Sequence, residues 1–135
     1  MSNWVNSDSV RNNTIVLITS DHGQHMMHSE IHSTFYGKVF DHRSPLVYVL
    51  IPSWLKKKYP GRIQALQLNS EQRVTTNIDL YNTIAHVMLN FTTADLTAPR
   101  GQSLFSQIPK ERTCKGMGIP ESFCTCAELV AADPT

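Results

Sequence analysis

The residues best equipped for chemistry lie together at Thr19-Ser20-Asp21-His22-Gly23, where a carboxylate and an imidazole adjoin at the end of an apolar run. Both side chains can hold a divalent cation, Asp21 through a hard oxygen and His22 through a neutral ring nitrogen. The same five residues also read as a plain turn, with Asp21 capping the next segment and Gly23 supplying a positive φ. Downstream, His25, His28 and His32 recur at spacings of three and four, which on a helix would align three imidazoles on one face. Met26, Met27 and Ile31 give that helix no opposing apolar face, so a His-rich surface loop and an independent metal-buffering segment are the competing readings. His42 precedes Arg43-Ser44-Pro45 and a second apolar run, a better place from which to meet the first. No nucleophile can be assigned. Thr19 and Ser20 adjoin the Asp-His pair, but nothing marks either as activated, and Gly-x-Ser-x-Gly, a phosphate-cradling glycine loop and Cys-x-x-Cys are all missing.

Cys114, Cys124 and Cys126 fall within the last 22 residues. Three thiols with no nearby His make a poor metal site, and an odd count suits an oxidised tail with one local bridge and one cysteine paired elsewhere. Which two pair stays open. Sequons at Asn12-Asn13-Thr14 and Asn90-Phe91-Thr92 agree with that, and the expected location is the secretory lumen or outside the cell.

The elements that must position these groups follow from the apolar pattern. Residues 1–13 read as a polar lead-in ending in a turn. Residues 14–19 are β-branched and apolar on both faces, which suits a buried strand of a parallel sheet. A second such strand spans 46–51, bounded by Pro45 and Pro52. The 25 residues from 21 to 45 hold five of the six histidines, and so long a connection in a compact domain usually has a function. Ser53 is placed to cap a short helix to Lys58, which Tyr59-Pro60-Gly61 should break before a long polar connection. Thr76 and Asp79 form an acidic capping box, and Ile78, Tyr81, Ile84, Ala85 and Met88 make one apolar stripe on the helix that follows. His86 lies off that stripe and is expected to be solvated or interfacial.

Composition narrows the function classes. The chain has 135 residues, 12 Lys+Arg against 11 Asp+Glu, and a net charge of +1, which leaves no electrostatic footprint for nucleic acid. The longest apolar stretch, 46–51, is far shorter than the roughly 20 residues of a membrane span, and residues 1–10 lack the apolar region of an export signal.

At TIVLITSDHG the chain resembles the strand and metal-binding turn of the alkaline phosphatase and sulfatase superfamily. Four further segments agree in order: FDHRSPLVYVLIP, VTTNIDLYNTI, RGQSLF, and the cysteine-rich IPKERTCKGMGIPESFCTC, which is similar to the tail of a secreted eukaryotic sulfatase-like branch. The resemblance implies an α/β fold, the C-terminal portion of a three-layer sandwich with a mostly parallel sheet, over residues 14–108, with a Cys-rich tail at 109–135. It implies that Asp21 and His22 ligate a divalent metal, Zn or Mn favoured and Ca allowed, and that His42 serves a second metal or a substrate oxygen. His25 is a further candidate contact, while Arg43 orders the approach to the strand and Asp79 caps its helix. The superfamily's nucleophile and first metal carboxylates lie well upstream of the Asp-His turn, and this chain starts 20 residues before Asp21. The expectation is therefore a C-terminal fragment of a metal-dependent sulfate or phosphate ester hydrolase, missing the N-terminal half of its domain and inactive alone. The alternative is a non-catalytic secreted binding or interaction domain that keeps the fold. Cut from a larger sheet, such a chain should be marginal and prone to aggregate.

Overall fold

The structure, a computed structural model, describes residues 7–23, 43–92 and 100–125. The lead-in carries a short helix, α1 (Asp8–Asn13), which buries Val10 and passes its C-cap, Thr14, into extended chain. Strands β1 (Val16–Thr19) and β2 (Val47–Leu50) follow, each shorter than its apolar run suggests.

The strands pair antiparallel, Val16 opposite Leu50 and Thr19 opposite Val47, where two parallel strands were expected. Both were also expected to be buried. Instead Leu46, Val47, Tyr48 and Leu50 are exposed and β1 is half-buried. Apolarity on both faces shows that a strand wants cover, but not which way its neighbour runs, and mixed sheets often carry one antiparallel strand.

Helix α2 (Ser53–Lys58) starts one residue earlier than expected: Pro52 is its N-cap, Ser53 is its first turn, and three lysines occupy its last turn, where cations suit the helix dipole. Tyr59 ends α2, but the supposed polar connection is a 13-residue helix, α3 (Pro60–Gln72). Pro60 starts this helix rather than blocking one, because its missing N–H falls where a first turn has no acceptor. Helix α4 (Asn77–Met88) has the expected capping box, in which the Thr76 hydroxyl accepts from the Asp79 N–H and Asp79 accepts from the Thr76 N–H.

Leu55, Phe91 and Phe105 form the core, with Ile51, Tyr59, Ile63 and Val87 against them. Phe91 reaches it through a left-handed exit from α4. Asn90 and Phe91 have φ of 51° and 61°, and the Phe91 N–H bonds to the His86 carbonyl while the Asn90 N–H bonds to Val87, a Schellman pattern. Asn tolerates that conformation; Phe91 costs about 1–2 kcal/mol there, offset by burying its ring edge-on to Phe105, centroids 5.2 Å apart.

The stripe of α4 faces the opposite way from the expectation. Ile78, Tyr81, Ile84 and Met88 are exposed, and the buried face is Asp79, Leu80, Asn82, Thr83 and His86. That face meets irregular chain, whose unpaired amides and carbonyls need polar partners. Thr83 accepts the Leu104 N–H at 2.8 Å, and Asp79 accepts the Gln102 N–H at 2.7 Å. From α3, Asn69 donates to the Leu104 and Ser106 carbonyls and accepts the Ile108 N–H. The tail is joined by a disulfide, Cys114–Cys124; Cys126 lies outside the described residues.

Candidate functional site

Where β1 ends, the chain is tied to the start of β2 in both directions. The Ser20 N–H donates to the Leu46 carbonyl at 3.1 Å, and the Leu46 N–H donates to Ser20 Oγ at 2.9 Å. The Ser20 hydroxyl is thereby engaged, and Thr19 Oγ1 donates to the Ser20 carbonyl, so neither is set up as a nucleophile. Beyond this clamp Asp21 and His22 project into solvent, with side chains 86% and 48% exposed.

Asp21 Oδ1 accepts the His22 backbone N–H at 2.9 Å. That bond first, and the His22 charge second, hold the Asp21 carboxyl below its ordinary range and keep it ionised. His22 Nδ1 lies 2.7 Å from the Gly23 carbonyl. A carbonyl only accepts, so Nδ1 carries the proton and the neutral ring has its lone pair on Nε2. Nε2 sits 3.4 Å from Asp21 Oδ2. Two donors on one tetrahedral Zn²⁺, each about 2.1 Å from it, stand about 3.4 Å apart. The spacing matches that of two ligands on one ion, and the Gly23 carbonyl fixes the tautomer of the His22 ring.

Among the described residues no group of three His, Cys, Asp or Glu is close enough to hold an ion. His25, His28, His32 and His42 lie outside the described residues. Arg43 stands at the approach to β2 with its guanidinium 4.9 Å from the centre of the Phe123 ring, linking the strand to the tail. Both sequon asparagines, Asn12 and Asn90, are exposed.

Two polar centres escaped the sequence reading. Asp79 does more than cap: Arg112 binds it through both terminal nitrogens at 2.8 and 2.9 Å, with Asp79 fully buried. His86, expected in solvent, is also fully buried. Its Nε2 lies 3.2 Å from Arg62, which can only donate, so Nδ1 is the donor to Ser103 Oγ at 2.8 Å. Burial pushes its pKa down, the Phe91 carbonyl opposes, and the Arg62 charge lowers it further. Arg62 and Arg112 carry no local mark of these partners, which stand 24 and 33 residues away.

No helix among the described residues is long and apolar enough to cross a membrane. No curated protein and no solved structure matches the chain. Residues 3–134 match a family described as a protein of unknown function, DUF229. With that match running almost end to end, and an Asp-His pair at the tip of its first strand, the chain belongs to the sulfatase-like DUF229 family.

Proposed function

We propose that this chain serves as the C-terminal part of the catalytic domain of a secreted, metal-dependent sulfate or phosphate ester hydrolase with an alkaline-phosphatase-like α/β fold. The observation that carries the reading is the 3.4 Å separation of Asp21 Oδ2 and His22 Nε2, with Nδ1 engaged by Gly23. Zn or Mn suits this oxygen and nitrogen pair, and Ca suits it if the remaining ligands are oxygens. When bound, such an ion polarises an ester oxygen and stabilises charge on the transferring group. This chain's part is to hold and orient: Asp21 supplies the anionic ligand, the Gly23 carbonyl sets the His22 tautomer, and the Ser20–Leu46 clamp fixes the turn. No nucleophile is assigned within this chain, and it is expected to be inactive alone. His42 is a candidate ligand of a second metal and His25 a further contact.

Calorimetry with Zn²⁺ and with Mn²⁺ tests the reading without any need for turnover. The expected result is about one ion per chain, with affinity at least 10-fold weaker in Asp21→Ala/His22→Ala, the loss typical of a removed ligand or its support. Equal binding by both proteins, or none by either, overturns it. The second reading, a non-catalytic interaction domain, is favoured by the solvent-facing row Ile78, Tyr81, Ile84 and Met88. It requires association, seen by sedimentation, that Tyr81→Lys with Met88→Lys abolishes while metal content stays unchanged.

A further inference from the structure

A cleft of about 670 Å³ lies between β2, α3 and the tail, and the metal reading makes no use of it. Its walls are largely apolar, with Val49 from β2, Ile63 and Leu66 from α3, and Ile119 and Phe123 from the tail. The volume falls in the usual range for small-molecule sites. Among the described residues that line it, the charged side chains are Arg43 and Lys56, both cations. Arg43 is held at the wall by the Phe123 ring, 4.9 Å from its guanidinium carbon, which limits the motion of a guanidinium able to grip an anion in bidentate fashion. Arg43, Ser44 and Pro45 also precede Leu46, the residue clamped to Ser20, so this part of the cleft wall is continuous with the turn that bears Asp21.

We propose that the cleft binds an amphiphilic monoanion: an apolar body lying on Ile63, Leu66 and Ile119, and one carboxylate, sulfate or phosphate head drawn to Arg43 and Lys56. Apolar walls favour the body whatever its head. The two cations, Arg43 and Lys56, set the preference among heads, anion over neutral and neutral over cation. The inference is independent of metal and of turnover.

The test is calorimetry of the full chain with decanoate, decyl sulfate, decyl phosphate and decan-1-ol, each below its aggregation limit. The expected result is one saturable site for the anions, with the alcohol at least 10-fold weaker. Relative affinity of the three anions identifies the head that the site prefers. Arg43→Gln/Lys56→Gln should bring the anions down to the alcohol's affinity. Ser70→Trp, at an exposed position on α3 that lines the cleft, should abolish binding of all four ligands. Since Trp can disturb packing, the charge variant is the decisive arm, and unchanged near-UV circular dichroism verifies the fold of both. Equal affinity for anion and alcohol in the parent chain overturns the proposal, as does unaltered decanoate binding in either variant. A dimer that Ser70→Trp dissociates, together with no decanoate binding, overturns it in favour of a second copy as occupant.

Discussion

Asp21 and Asp79 are two carboxylates at chain turns with opposite surroundings. Asp79 is fully buried and accepts five hydrogen bonds, two from Thr76, one from the Gln102 N–H and two from Arg112. Asp21 accepts the N–H of its own neighbour, has that neighbour's ring nitrogen 3.4 Å away, and is otherwise exposed, in a turn carried by a two-stranded ribbon. A carboxylate whose lone pairs are all engaged inside the protein has no capacity left for a ligand and works as a joint. One held in place but coordinatively open can take a cation. The buried centre should therefore govern stability and the exposed one binding.

The sharpest way to break this division is to exchange the two losses. Asp79→Ala strands a buried guanidinium and two backbone N–H groups, and should cost about 3–5 kcal/mol, read as a lowered urea midpoint. Asp21→Ala in the same assay should stay within about 0.5 kcal/mol of the parent chain. A large loss for Asp21→Ala would show that the turn is structural.

A smaller effect is expected where the two regions do not meet. A methyl on Gly101 would come within 2.6 Å of Asn82 Nδ2 and 2.8 Å of the Ile78 carbonyl. Gly101→Ala should cost about 1–3 kcal/mol and leave metal affinity unaltered. Coupled loss of both would mean that the lattice around α4 also shapes the Asp21 turn.

The smallest effect is a pH dependence that belongs to the buried region. The folded state lowers the pKa of His86 from an unfolded value near 6.5, so the unfolded chain takes up the proton first. The contribution of His86 is complete above about pH 6.5 and is lost as pH falls from there through the lowered folded value, by at most about 1.4 kcal/mol per pH unit. Urea midpoints measured from pH 7.5 down to 5.5 should fall for the parent chain and fall less steeply for His86→Gln. Parallel curves would exclude His86 as the source.

What the sequence made legible was local. Thr76 and Asp79 stand three apart and cap one helix, so the pattern and the physics coincide. The two apolar runs became strands for the same reason. The direction of β2 against β1 depends on distant chain, and is antiparallel where a parallel pair was expected. Helix α3 was missed because Pro60-Gly61 was read as a stop. The apolar stripe of α4 does not mark its buried face, because the loop against that face is bonded by the Thr83 hydroxyl and the Asp79 carboxylate. His86 and Arg112 belong to that polar packing, and only its three-dimensional closure reveals them. Asp21 and His22 were identified as a pair, but the tautomer and the 3.4 Å separation come from coordinates.

The disulfide has a mechanical corollary. Because Cys114 and Cys124 are joined covalently, tension applied at the C-terminus passes from one sulfur to the other and leaves the residues between them slack. Among the described residues the load then reaches Arg112, two residues before Cys114, and the Arg112 guanidinium grips Asp79. A chain pulled from its tail should therefore yield at a buried ion pair, with the stapled loop still intact.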